Sequence, residues 1–146
     1  MNKSLLIICA LLLTTITSYG QHHHHTKEEF QKIEAAKIAH ITTEVGLTPS
    51  QAEDFWPLYN EYSKKRRELK HERKTLIRNS ENLTDDKVIL ETFNKVDELR
   101  VKELNLDQAY RKKFLIILSP NQVMNLYRAE KEFFRMIMRK IHDDDD

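Results

Sequence analysis

The sequence predicts an all-α protein of four helices, in which a long antiparallel helical hairpin carries two flanking helices. Three observations support this fold class. The 146 residues include only two Gly and three Pro, and 32% of them are charged, which is typical of long helices rather than sheet. Apolar residues recur at helical spacing through most of the chain. A helix-start pattern also occurs twice, 71 residues apart.

The first 20 residues are typical of a cleavable secretory signal peptide. An unbroken apolar run, Leu5–Leu13, follows a basic residue, and small residues at Ser18 and Gly20 suit a signal peptidase. We therefore predict cleavage after Gly20. Residues 21–26 are then a polar, His-rich tail that we expect to be disordered.

Removal of residues 1–20 would also remove the single cysteine and one lysine. The mature chain would then have no thiol chemistry, and its 23 basic residues would balance its 23 acidic ones. The charge is uneven, however, because eight Lys or Arg and two Glu lie between Lys64 and Arg78. This run predicts either a solvated helix face or a surface for acidic clients or membrane headgroups. Export argues against nucleic acid as the partner.

The predicted helical domain spans residues 27–142 and begins with a helix from Lys27 to Val45. Gly46 suits the position that ends this helix. Thr48 and Pro49 then start a second helix, which runs to Asn79. A heptad seam follows its length: Phe55, Tyr59, Tyr62, Arg66, Leu69, Arg73 and Leu76. We expect the two arginines to bury their stems and keep their charged heads in water.

The third helix is predicted to start at an N-cap residue Thr84 and to run to Ile117, with a broad apolar surface. The fourth is predicted from Pro120 to His142, and an acidic tail occupies residues 143–146. Helices two and three should form the hairpin, with helices one and four folded onto it. Such a flat protomer leaves one face incomplete, so we predict an elongated homodimer, and a bend at Pro57 inside the second helix should curve it.

The repeated helix-start pattern is Leu, a hydroxyl residue, Pro, a free position and Gln. Its motif residues are Leu47, Thr48 and Gln51 in the first copy and Leu118, Ser119 and Gln122 in the second. The hydroxyl and the Gln three residues later form a capping box, in which each side chain bonds the other residue's backbone N–H. Two copies indicate a two-part helical architecture.

These two motifs, in a short helical chain behind a signal peptide, resemble the Spy/CpxP family of periplasmic proteins. The stretch Phe55–Tyr62 resembles the branch found in Bacteroidetes-type bacteria, whose members are often described as sensors linked to extracytoplasmic-function sigma factors. The likeness covers roughly Lys27 to Ile141, and Ser119 replaces the Thr of the strict motif. The resemblance implies a periplasmic location and an antiparallel dimer.

No constellation of catalytic residues is present in the sequence. Two glycines cannot build a phosphate-binding loop, and His71-Glu72 lacks the second His of a zinc-protease motif because position 75 is Thr. The acidic residues are spread among Lys and Arg along helix surfaces. We therefore expect a binding protein and not an enzyme.

Metal binding is the one chemical alternative. The four consecutive histidines His22, His23, His24 and His25 follow the expected cleavage site. A free N-terminus with His in third position, here His23, can hold Cu(II) or Ni(II) in a square plane. The family resemblance adds Zn(II), since some relatives bind it. The alternative is a soluble His-rich tail without a specific metal.

Two functions remain open from the sequence. The first is an ATP-independent periplasmic chaperone that holds unfolded or stress-related proteins. The second is a stress or heavy-metal sensor acting on a membrane-bound signalling protein. The predicted contact residues for either partner are Phe133, Phe134, Met136, Ile137 and Met138 of the fourth helix. The same residues could instead belong to the core or to a dimer interface.

Overall fold

The computed structural model describes the backbone of residues 21–144 and the side chains of residues 27–143. Four helices account for most of this part of the chain: α1 (Gln21–Val45), α2 (Pro49–Asn79), α3 (Asp86–Ile117) and α4 (Pro120–Asp144). No strand occurs among the described residues, so the predicted all-α class and the order of its four helices are confirmed. The predicted signal peptide, residues 1–20, lies outside them.

The chain divides into two units between His40 and Ile41, inside α1. The described part of the first unit is helical from Gln21 onward, six residues before the predicted start at Lys27. No Gly or Pro interrupts α1, which leaves its backbone hydrogen bonding free to continue to Gln21. Three large apolar side chains of this unit are exposed: Phe30, Ile33 and Ile38.

The second unit, residues 41–146, begins with the last turn of α1. Gly46 ends this helix with a positive φ of 65°. Its N–H donates to the carbonyl of Thr43, and the N–H of Leu47 donates to the carbonyl of Thr42, each at 3.1 Å. This Schellman arrangement satisfies carbonyls that the helix end would otherwise leave unpaired. The predicted role of Gly46 is therefore confirmed.

Helices α2 and α3 form the antiparallel hairpin that the sequence predicts. Contacts between them pair residues whose numbers rise on α2 and fall on α3: Gln51 with Ile117, Tyr62 with Asp107 and Arg73 with Glu103. The predicted seam of α2 faces inward, since none of its seven residues is classed as exposed. α4 packs against α3.

The start of α3 differs by one residue from the prediction. Asp85, and not Thr84, is the N-cap, and its carboxylate accepts from the N–H of Lys87 at 2.8 Å and of Val88 at 3.4 Å. A carboxylate is a charge-assisted acceptor at the positive end of the helix dipole, so it can replace the hydroxyl as the cap. The turn before α3 is correspondingly longer by one residue.

The core of the second unit is an aromatic cluster where the four helices meet. Phe55, Tyr59 and Tyr62 of α2 contact one another and the rings of Tyr110 and Phe114 of α3, with centroids 5.2 to 6.4 Å apart. Apolar residues from the other two helices complete it: Ile41, Val45, Val123, Leu126 and Ala129. Aromatic pairs at these distances add to the stabilisation from burial.

Candidate functional sites

Both predicted capping boxes are present in the structure. In the first, the N–H of Gln51 donates to the Thr48 hydroxyl and the N–H of Thr48 donates to the Gln51 side-chain oxygen, both at 3.2 Å. In the second, the N–H of Gln122 donates to the Ser119 hydroxyl at 3.2 Å, and the N–H of Ser119 donates to the Gln122 oxygen at 3.0 Å. The Thr-to-Ser difference between the two motifs thus leaves the capping geometry unchanged.

The two glutamines also bond each other, which the sequence did not predict. The Nε2 group of Gln51 donates to Oε1 of Gln122 at 3.1 Å, and the reverse bond is 3.0 Å long. The remaining N–H of Gln51 donates to the carbonyl of Ile117 at 3.1 Å, and that of Gln122 donates to the carbonyl of Gly46 at 3.2 Å. Each glutamine therefore starts its own helix and secures the end of the helix that precedes the other motif.

The leucines of the two motifs support this junction from the apolar side. Leu118 is buried, and Leu47 is partly buried against the same core cluster. All six motif residues thus have structural roles in joining the four helices. The polar groups of the two glutamines are used within the junction, so it is a structural centre rather than a binding site.

A second polar network links α2, α3 and α4 halfway along the seam. The Arg66 guanidinium lies 3.3 Å from a Glu130 oxygen and 3.7 Å from an Asp107 oxygen. The hydroxyl of Tyr59 donates to Glu130 and the hydroxyl of Tyr62 donates to Asp107, both at 2.8 Å. Burial and the nearby Glu130 carboxylate raise the pKa of the Tyr59 phenol above its ordinary value.

The two arginines of the seam keep part of their side chains exposed, 31% for Arg66 and 28% for Arg73. Each also pairs with an acidic residue of a neighbouring helix, which the sequence did not predict, and Arg73 lies 2.8 Å from Glu103. Sequence reasoning missed Asp107 and Glu130 because acidic residues are common on every helix surface. The signal that could have found them is the pair of charges inside the seam, since charges at such positions need partners.

The predicted contact residues of α4 do not share one environment. Phe134, Met136 and Met138 are 62%, 39% and 46% exposed, and Ile137 is partly buried. Phe133 is only 9% exposed, so the structure removes it from the predicted contact surface. Adjacent helical residues point about 100° apart, which explains why Phe133 joins the interior while Phe134 faces outward.

Exposed apolar side chains extend well beyond α4. Within the second unit they also occur on α2 and α3, including the end of α3. The largest exposures there are those of Leu90, Phe93, Val101, Leu104 and Ile116. Sixteen large apolar residues are exposed in the described structure, against fourteen hydrophobic residues that are buried. Exposed apolar side chains that lie side by side, as Phe134 and Met138 do in one groove, are typical of surfaces that contact other molecules.

The basic run of α2 separates into paired and unpaired charges. Arg66 and Arg73 turn inward, whereas Lys64, Lys70 and Lys74 are exposed. Lys65 pairs with Glu61 at 2.6 Å. Among the described residues, Lys64, Lys70, Lys74 and Arg78 form no ion pair. This face therefore keeps its positive charge available to a partner.

The predicted metal ligands His22–His25 lie in the first turns of α1. The backbone of His22–His25 is helical, but the side chains of these residues lie outside the described part of the chain, as do residues 145 and 146 of the acidic tail. Among the side chains that are described, no group of three or more His, Cys, Asp or Glu is arranged to hold a metal ion. No described helix is both long enough and apolar enough to cross a membrane.

Comparison of the chain with protein-family models, with curated proteins and with solved structures finds no match. The fold and the geometry of its surfaces therefore carry the functional argument.

Proposed function

We propose that this protein binds unfolded or aggregation-prone polypeptides without ATP, as a chaperone of the bacterial periplasm. The observation that carries the proposal is the excess of exposed over buried large apolar side chains, spread over several helices and interspersed with charge. The resemblance of the two motifs to the Spy/CpxP family supports the location and the class of client.

The chemistry of the surface suits clients without a fixed shape. On α4, Phe134 offers an aromatic contact and Met138 a flexible one. Met side chains repack readily around different apolar groups. Exposed cations such as Arg135 and Arg139 lie beside them. Short apolar segments of an unfolded chain could be held at several such places, while the neighbouring charges keep the complex in solution.

The test is aggregation of a denatured client diluted into the chain from Gln21 onward, followed by light scattering in the presence of a chelator. We expect suppression at near-stoichiometric ratios, and we expect Phe134→Asp to weaken it several-fold by placing a charge in the apolar surface. Gln108→Asp, an exposed polar site on α3, is the matched control and should leave suppression unchanged.

Two results would contradict this proposal. If the wild-type chain fails to suppress aggregation but changes its assembly when Zn(II), Cu(II) or Ni(II) is added, the sensor function is correct instead. If Phe134→Asp converts a dimer to a monomer, measured by light scattering on a sizing column, and suppression is unaffected, Phe134 belongs to a homodimer interface and not to the client surface.

A further inference from the structure

Positive charge and exposed apolar groups occur together in the middle of α4. From Arg128 to His142 there are five Lys or Arg and two Glu, a net charge of +3, and four Asp follow directly at residues 143–146. Phe134, Met138 and Ile141 recur at steps of four and three, so they form one row along the helix. They are 62%, 46% and 51% exposed.

A row of cations borders this apolar row on α4. Arg128, Lys131, Arg135 and Arg139 recur at helical spacing and are all exposed. Arg135 and Arg139 line a shallow groove together with Phe134 and Met138. No member of the cationic row forms an ion pair with any described residue.

The basic face of α2 lies on the other side of the apolar row. α2 and α4 both start at the glutamine junction and run in the same direction, since Gln51 contacts Gln122, and Tyr59 and Arg66 contact Glu130. Lys70 is one turn beyond Arg66, and Phe134 is one turn beyond Glu130. Extended by one and two turns, this register puts Lys70 and then Lys74 toward the side of the apolar row that faces α2.

The resulting surface is an apolar row between two cationic rows, and we name it the cationic apolar face: Lys70, Lys74, Phe134, Arg135, Met138 and Arg139. Residues 64–78 of α2 carry eight basic and two acidic side chains, a net charge of +6. This concentration stands in a chain whose residues 21–146 hold equal numbers of basic and acidic side chains. The positive charge is therefore segregated and not a property of the whole protein.

We propose that the cationic apolar face docks on a membrane surface that contains anionic phospholipid. Phe134 and Met138 would enter the headgroup region, while Lys and Arg side chains remain level with the phosphate groups. Each Lys or Arg near an anionic bilayer raises the binding constant by roughly fivefold. This partner is distinct from the polypeptide clients proposed above, and the inference does not depend on them.

Charge complementarity favours a lipid surface over a second copy of this chain. If two copies paired through this face, the row containing Arg135 and Arg139 would meet cations of the other copy, and such like-charge contacts oppose association. An anionic bilayer instead provides negative charge on both sides of the apolar row and hydrocarbon beneath it.

The test is co-sedimentation of the chain from Gln21 to Asp146, which contains all four described helices and lacks the apolar run Leu5–Leu13. The vesicles are either pure phosphatidylcholine or phosphatidylcholine with about a third phosphatidylglycerol. We expect binding to the anionic vesicles, little binding to the neutral ones, and a loss of binding as salt rises from about 0.15 to about 0.5 M, because screening weakens contacts with headgroups.

Charge-reversal variants locate the contact. Lys70→Glu with Lys74→Glu, and separately Arg135→Glu with Arg139→Glu, should each lower the partition coefficient at least about 25-fold, given about fivefold per cation lost. Lys95→Glu with Lys102→Glu is the matched control. Both residues are exposed and line a different groove, between α2 and α3, so this variant should bind within about threefold of wild type.

Equal binding to both kinds of vesicle, absence of binding to either, or no effect of the two face variants would overturn the proposal. A wild-type dimer that dissociates in the Arg135/Arg139 variant would also overturn it, because the face would then be an interface between copies. Far-ultraviolet circular dichroism checks that each variant is folded, and the salt series on the wild-type chain tests the inference without any substitution. Aggregation suppression is measured without lipid, so either proposal can fail while the other holds.

Discussion

Replacing Gln51 by alanine tests whether the glutamine junction holds the helices together. The Gln51 side chain takes part in four hydrogen bonds: with the Thr48 N–H, with the Ile117 carbonyl, and two with the Gln122 amide. A net value of about 0.5–1.5 kcal/mol for each, toward the low end because the site is only partly buried, gives a loss of about 2–3 kcal/mol. The helix preference of alanine offsets a few tenths of this loss.

The double variant separates the shared bonds from the others. Gln51→Ala and Gln122→Ala each remove the two bonds between the glutamines, but together they remove those bonds only once. The double variant should therefore be less destabilised than the sum of the single variants by about 1–2 kcal/mol. Residues that do not interact would give an additive result.

Urea unfolding measures these free energies. Circular dichroism follows the helix content, and the fluorescence of Trp56, the single tryptophan, follows the unfolding of the core. Trp56 packs against Phe55 with ring centroids 5.1 Å apart, so its emission reports on the cluster beside the junction. Gln108→Ala is the matched control, because Gln108 is exposed on α3. Additive losses for Gln51 and Gln122, or losses no larger than that of the control, would refute the pairing.

Three further predictions concern stability, measured by urea unfolding or by the melting temperature. Thr48→Ala should lower stability by about 1 kcal/mol through loss of the cap, and an unchanged melting temperature would mean that α2 does not depend on it. Phe55→Ala should cost roughly 3–5 kcal/mol, because Phe55 is fully buried and the change leaves a cavity; a loss below about 1 kcal/mol would contradict its place in the core. Since burial raises the pKa of Tyr59 in the folded state, its contribution to stability should be complete below about pH 10, the ordinary tyrosine pKa, and lost as pH rises further. Tyr59→Phe should therefore reduce the fall in melting temperature between about pH 9 and about pH 11, and an identical fall in both proteins would contradict the role of Tyr59.

The two motifs show how far local sequence can predict structure. Thr48 with Gln51 and Ser119 with Gln122 predicted both capping boxes, because a capping box involves residues only three positions apart. The bonds between the two glutamines join residues 71 positions apart. No local rule specifies that distance, so the junction became visible only in the folded chain.

The predicted contact residues of α4 show what local sequence cannot predict. The composition of α4 predicted a contact surface from Phe133 to Met138, but composition could not say which side chains face outward. Phe133 is buried and Phe134 is exposed, because only the packing of α4 against its neighbours fixes the rotation of the helix about its axis. The proposed client surface is smaller by one residue for that reason.

For the described residues, the sequence by itself determined the number of helices, most of their boundaries, the inward seam of α2 and the two capping boxes. These features depend on local backbone chemistry and on the 3.6-residue period, both of which can be read along the chain. The tertiary structure alone decided how Gln51 meets Gln122, how Arg66 meets Glu130 and Asp107, and which apolar and basic residues remain exposed together. Those outcomes depend on the relative placement of helices distant in sequence, which is set by packing of the whole core.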